Sequence, residues 1–230
     1  MSARSSGRGS RSRRGRRQKS ESRPRRVLVV TNGEVTEKQY CDLLNATEDE
    51  KRLGERNFHI ICKTQPVDPW KLAKYALSLI DKDKKASAKK NGGTSDTYSL
   101  AFVVVDVDDM LAKNPNNLRE AQRLCDDNDM RLVISDPCFE VWLIDHVMVC
   151  PSHILDQKAA ETLAGSKGLT TGRKNKYLVL EKLRDRLEVA VSNAEAHNLA
   201  TASVHRKSLQ GKSFAPWTDF PELVNSIGAL

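Results

Sequence analysis

Val103-Val104-Val105-Asp106-Val107-Asp108-Asp109 is an apolar, β-branched run that ends in carboxylates two residues apart. Side chains alternate faces along a strand, so Asp106 and Asp108 are expected to point the same way. At the end of a buried parallel strand, both acids would reach the carboxyl edge of the sheet. That is the edge at which open α/β sheets bind their ligands. Two neighbouring anions are tolerated when solvated or when a cation sits between them, and Mg²⁺ is the usual oxygen-seeking guest. A strand running into a solvated acidic turn produces the same short pattern, so the pattern alone does not define a metal site.

The flanking sequence supplies the rest of an α/β unit. Val27–Val30 is a first apolar run, broken by Thr31-Asn32-Gly33. Thr36-Glu37-Lys38-Gln39 reads as a capping box, with Thr36 at the N-cap and Gln39 reaching back, opening a helix through Tyr40, Leu43 and Leu44. Phe58–Cys62 is a second short strand. Asp68-Pro69 starts a helix whose apolar face is Leu72, Ala73, Ala76, Leu79 and Ile80. From Asp81 to Ser99 the chain is Lys-rich and then carries Asn91-Gly92-Gly93, which reads as a frayed helix end and a flexible loop. Leu100–Val105 is the third strand, Asn117–Asp126 a helix and Arg131–Ile134 a fourth strand. Asp136-Pro137 then opens a helix with Phe139, Trp142, Leu143 and Val147 along one stripe. Strands alternating with helices predict a mostly parallel sheet of about four strands with helices on both faces.

After Pro151 no strand is expected. Leu180, Leu183, Leu187 and Val191 repeat at helical spacing and predict a helix over Tyr177–Val191. Glu195–Leu209 and Thr218–Ile227 read as further helices, the last with Asp219 as its cap. The expected organisation is a basic tail over 1–26, an α/β domain over 27–150, and a helical region over 151–230 packed on it.

The 230 residues carry a net charge of +8, and its location matters more than its size. Residues 1–26 hold ten arginines and Lys19 against Glu21 alone, a net of +10 that leaves −2 for the remainder. Such an Arg/Ser/Gly tail cannot bury enough apolar surface to fold by itself. Its arginines, Arg13, Arg14, Arg16 and Arg17 among them, could add sequence-blind affinity for nucleic acid through counterion release. They could equally form a solvated leader. No apolar run is long enough for a membrane span, and the polar N-terminus is not a signal peptide. Five cysteines, no two within three residues, fit neither a zinc site nor a disulfide framework. Reduced, buried thiols in a cytoplasmic protein are expected.

The loop after the first strand, Asn32-Gly33-Glu34-Val35-Thr36-Glu37, should lie on the same sheet edge as Asp106 and Asp108. Glu34 or Glu37 could complete a three-carboxylate cation site. Alternatively, Glu37 only complements its helix dipole and Glu34 is only solvated. Glu140, one helical turn past the fourth strand, could face the same edge, whereas His146 reads as a packed core histidine. Lys167, Arg173, Lys174 and Lys176, and later His205, Arg206 and Lys207, could hold a phosphate backbone or form a solvated face. Aromatic residues are few, which gives base stacking little support.

These motifs together resemble the RloB-like proteins. The resemblance rests on Asn32-Gly33-Glu34-Val35-Thr36-Glu37-Lys38-Gln39-Tyr40, then Asp106-Val107-Asp108, then Asp136-Pro137-Cys138-Phe139-Glu140-Val141-Trp142-Leu143, with Pro216-Trp217-Thr218 near the C-terminus. It covers most of residues 27–225. That family is similar in turn to the Toprim domains of topoisomerases, primases and overcoming-lysogenization-defect nucleases. The resemblance implies a Toprim/Rossmann-like sheet in which Asp106 and Asp108 bind Mg²⁺ or Mn²⁺, with Glu37 as third ligand or general base and Glu34 as a further ligand. It implies a nuclease acting on DNA or RNA in an abortive-infection type of phage defence, with an ATPase or other defence-system partner. The position after the first strand, commonly Glu in the family, is Asn32 here. A neutral side chain at that place leaves open a non-catalytic nucleic-acid-binding or sensor role.

Overall fold

A computed structural model describes residues 24–50, 57–89, 97–107, 114–172, 174, 176–205 and 214–229. The elements are β1 (Arg25–Thr31), α1 (Thr36–Glu50), β2 (Phe58–Thr64), α2 (Pro69–Lys89), β3 (Leu100–Asp106), α3 (Pro115–Asp126), β4 (Arg131–Asp136) and α4 (Glu140–Asp145). They continue with α5 (Gln157–Ser166), β5 (Thr170–Thr171), β6 (Tyr177–Leu178), α6 (Leu187–His205), β7 (Trp217–Thr218) and α7 (Phe220–Ile227). The five-stranded sheet has the order β2-β1-β3-β4-β7. Its first four strands are parallel, and β7 adds antiparallel on the edge of β4. The fold is therefore mixed α/β, with helices dominating the C-terminal half.

Strand alternation divides the core in two. Val27, Val29, Phe102, Val104 and Val133 face α1 and the C-terminal helices. Leu28, Val30, Val103, Val105 and Ile134 face α2 and α3. Both faces of the parallel strands are buried, which is why they read as near-continuous apolar runs. The first layer is the richer in aromatics. Trp142 is fully buried and stacks on Phe220 with ring centroids 5.5 Å apart and planes 17° apart. Tyr40 meets Phe139, Trp142 and Phe220 edge-on. Deep in the C-terminal half, His197 Nε2 lies 3.0 Å from Asp145 Oδ2 and ties α6 to α4.

Several local expectations are corrected. The first strand starts at Arg25, inside the segment read as tail: Arg26 pairs with Asp83 at 3.0 Å and Arg25 donates to the carbonyl of Ile227 at 2.7 Å. No capping box forms on α1. Thr36 is already helical, and the Gln39 side-chain oxygen accepts from the backbone N–H of Leu178 at 3.0 Å instead of reaching back. The lysine-rich stretch after Asp81 continues α2 to Lys89 rather than fraying at once. The helix expected at Asp136-Pro137 begins only at Glu140.

The helix expected over Tyr177–Val191 forms only from Leu187 onward. Tyr177–Leu178 pairs with Thr170–Thr171, Leu180–Lys182 makes one 3-10 turn, and helix resumes only at Leu187. A two-residue strand is too short to show its period, so the helical spacing of the leucines is the stronger local signal. Thr218, expected in the last helix, belongs to β7, a strand after Pro151 where none was expected. Asp219 does occupy the N-cap of α7, but its carboxylate accepts from Ile134 N–H at 3.1 Å and Trp217 Nε1–H at 2.8 Å.

Candidate active site at the carboxyl edge

From β1 the chain crosses to β2 on one side and, through α2, to β3 on the other. The carboxyl ends of β1 and β3 therefore flank the switch point, where doubly wound sheets leave a crevice. A cavity of about 200 Å³ opens there. Its walls include Asn32, Gly33, Glu34 and Glu37 from the β1–α1 turn, Asp106 from the end of β3, and Glu140 from the start of α4. Thr31 and Asp106 share the parity of Val29 and Val104, so both lie on the α1 face of the sheet.

Glu37 is held from several sides. Gly33 N–H donates to Thr31 Oγ at 3.1 Å, and the Thr31 hydroxyl donates to Glu37 Oε1 at 3.4 Å. The Glu37 carboxylate packs directly over Gly33, where any Cβ would collide with it. Only 6% of Glu37 is exposed. Burial raises its pKa from 4.5 to about 7, its own backbone N–H opposes that rise, and the nearby Glu140 carboxylate adds to it. Lys176 opposes the rise more weakly. Burial also raises Glu140, with Glu161 adding to the effect and Lys176 opposing it. The Cys138 thiol is pushed well up by burial and then by Glu140 and Asp106. Several acids thus crowd one small volume, and at least one holds its proton to near neutrality.

The lysines come from the β5–β6 hairpin, which docks on the start of α1. The Thr36 hydroxyl donates to the Lys176 carbonyl at 3.4 Å, and Gln39 accepts from Leu178 N–H as above. Gly172 turns this hairpin at φ +78°, a conformation that suits glycine, and its missing side chain makes room for the Tyr177 ring. Lys174 and Lys176 consequently line the acidic cavity. On the opposite wall Gln157 donates to Glu161 at 3.0 Å, and both face the cavity from α5. Sequence reasoning missed Gln157 and Glu161. Both follow Pro151, where nothing in the local pattern reveals which helix face docks at the sheet edge.

Of the residues singled out from sequence, Glu34, Glu37, Asp106, Lys174 and Lys176 come together. Glu34 is exposed at the rim, whereas Glu37 is buried in the wall. Asp108, Arg173, Arg206 and Lys207, like Arg13, Arg14, Arg16 and Arg17, lie outside the described residues. Lys167 caps the C-terminus of α5 and is not among the cavity residues. His146 is a core residue, 1% exposed, with Nε2 3.1 Å from Tyr40 Oη and Nδ1 3.0 Å from the Trp142 carbonyl oxygen.

Among the described residues, no three Asp, Glu, His or Cys side chains stand close enough to ring a metal ion by themselves. The donor set at the cavity is nevertheless all oxygen, the chemistry that suits Mg²⁺ or Mn²⁺. The Asn32 side-chain oxygen in the same wall is buried and meets no hydrogen-bond donor among the described residues. An oxygen-seeking cation is one partner that would satisfy it. All five cysteines are free thiols. No helix among the described residues is long and apolar enough to cross a membrane.

The family model described as RloB-like protein matches residues 27–227. No curated protein matches the chain, and no solved structure does.

Proposed function

The chain belongs to the RloB-like family, and from that premise we propose that it is a Mg²⁺- or Mn²⁺-dependent nuclease. The observation that carries the reading is that Glu37, Asp106 and Glu140 line one cavity at the sheet's switch point together with Lys174 and Lys176. Phosphodiester cleavage needs both signs of charge within one site. Carboxylates hold a cation and accept a proton; lysines hold the phosphate oxygens.

Asp106 and Asp108 would hold the ion, with Glu37 as third ligand or base, Asn32 as a neutral oxygen donor and Glu34 at the rim. A bound divalent ion supplies Lewis-acid polarisation of the phosphate and a more acidic water. Glu37, with a pKa near neutrality, is poised to take a proton at its carboxylate. Lys174 and Lys176 orient the substrate backbone. The basic segment over residues 1–26 adds sequence-blind affinity for DNA or RNA. We further propose a role in abortive-infection defence, with an ATPase or similar partner in a cytoplasmic setting, on the strength of the family resemblance.

The test is cleavage of single- and double-stranded DNA and RNA with Mg²⁺ or Mn²⁺. Asp106→Ala with Asp108→Ala should abolish it while leaving the thermal melt intact. Undiminished cleavage by that double variant rejects the assignment. Asn32, standing where the family commonly has Glu, favours a second reading as a nucleic-acid-binding or sensor subunit. That reading predicts salt-sensitive binding without cleavage in either metal.

A further inference from the structure

Trp70 is the one tryptophan that the fold leaves outside the core, at the carboxyl end of the sheet. Trp142 and Trp217 are buried, whereas Trp70 in the first turn of α2 is partly exposed. The loop before it is tied to the wall of the acidic cavity. Gln65 N–H donates to the carbonyl of Thr31, the residue just before Asn32, at 2.9 Å. The start of α2 is also fixed to α3. Asn117 accepts from Trp70 N–H at 2.8 Å and donates to Asp68 at 3.0 Å. The backbone that carries Trp70 is thus fixed at the same carboxyl edge of the sheet as the candidate active site.

Its charge environment is selective. Lys74 lies 3.9 Å from the centre of the Trp70 ring. Lys71 is engaged by Asp68 at 2.8 Å, but no acid among the described residues pairs with Lys74 or with Lys63 at the end of β2. α2 packs over β1 and β3 rather than over the edge strand β2. A tryptophan ring with an ammonium group over one face, and a second lysine at the end of the neighbouring strand, matches one ligand chemistry closely: a base stacked on the other face with its phosphate near the lysines. Bases stack on tryptophan irrespective of sequence, and lysine contacts the backbone. Within a duplex each interior base already has neighbours on both faces, so an unstacked base is the one suited to that position.

We propose that Trp70 and Lys74 form a stacking subsite for an unpaired nucleotide of the strand presented to the acidic cavity, so that the substrate is single-stranded or locally opened nucleic acid. The inference rests on the reading of the cavity as a nuclease site, but its assay needs no cleavage. The full chain is titrated, in chelator, with labelled single-stranded DNA and RNA oligonucleotides and with a blunt duplex of the same sequence. Salt is set to suppress binding through the N-terminal arginines. Trp70→Ala should weaken single-strand binding roughly tenfold and leave duplex binding unchanged. Trp70→Phe, which keeps a ring and guards against misfolding, should retain most of the affinity. It should also abolish the fluorescence quenching that the single strand causes in the unsubstituted protein, because the other two tryptophans are buried.

Single-strand binding unaffected by Trp70→Ala overturns the subsite, as does an equal loss for single strand and duplex. Quenching that persists in Trp70→Phe does the same. Any of these results alongside intact metal-dependent cleavage leaves the nuclease reading standing. Loss of cleavage chemistry with normal Trp70-dependent binding condemns that reading instead.

Discussion

The carboxylate of Glu37 rests on the Cα of Gly33, filling the space that a side chain at position 33 would need. The two residues sit on either side of the β1–α1 turn, so the absence of one side chain sets the position of another. Gly33→Ala should therefore push the Glu37 carboxylate away from the Thr31 hydroxyl while leaving the backbone unstrained. The displaced atoms are the end of a flexible side chain, and the fold should lose less than about 1 kcal/mol. A displacement of this kind is expected to cost roughly a hundredfold in metal-dependent cleavage. Thermal melts and cleavage rates of the same preparation separate the two effects.

Glu37 also makes the fold sensitive to pH. Its folded pKa of about 7 exceeds the ordinary glutamate value of 4.5. The folded state therefore binds the proton more tightly than the unfolded one between these values. Its contribution to stability is fully present below 4.5 and is lost as pH rises through about 7. The shift corresponds to about 3 kcal/mol at most. Glu37→Gln should remove this loss and raise Tm by roughly 5 °C at a pH well above 7. Adding Mg²⁺ should stabilise the unsubstituted protein more than Glu37→Gln. Equal stability of the two proteins across the pH range would show that Glu37 is not strained by its burial.

The sheet could be read from the sequence because each parallel strand is buried on both faces. Val27–Val30, Leu100–Val105 and Arg131–Ile134 carry their own signal in their composition. The meeting of Glu37 with Asp106 followed from topology alone, since β1 and β3 run parallel and end on one edge. The β5–β6 hairpin could not be read in that way. Leu178 is held by Gln39 of α1 and Val179 by the Leu169 carbonyl, contacts that exist only after the chain has folded. Lys174 and Lys176 stand out as cations in the sequence, but their place on one cavity with Glu37 depends on that hairpin. Gln157 and Glu161 were unreadable for a related reason: they reach the cavity only because α5 docks against α4.

His146 should control stability in acid. Burial drives its pKa from 6.5 down to about 4; the Trp142 carbonyl opposes this and Arg186 adds to it. Between those values the unfolded state binds the extra proton, so stability is full above 6.5 and falls as pH drops through about 4. Glu37 acts in the opposite direction over part of the same range, so the comparison is best made in Glu37→Gln. In that background Tm should fall steeply with acidification. His146→Gln should flatten the slope while lowering Tm at neutral pH, because the contacts with Tyr40 and the Trp142 carbonyl are disturbed. A slope unchanged by His146→Gln would assign the acid sensitivity to other groups.

Lys176 offers a way to distinguish a working cation from one that merely decorates the surface. It faces both Glu37 and Glu140 and holds their pKa values below what burial alone would give. Lys176→Met should therefore let the Glu37 pKa rise further. If Glu37 must be ionised for cleavage, the acidic limb of the rate profile should move to higher pH. Loss of the phosphate contact should independently raise KM, with a combined loss in kcat/KM of roughly tenfold at neutral pH. Lys176→Arg keeps the charge and should restore the position of the limb even if KM stays elevated. A solvated lysine with no part in the site would move neither quantity, so pH profiles of the three proteins decide whether the hairpin belongs to the catalytic machinery.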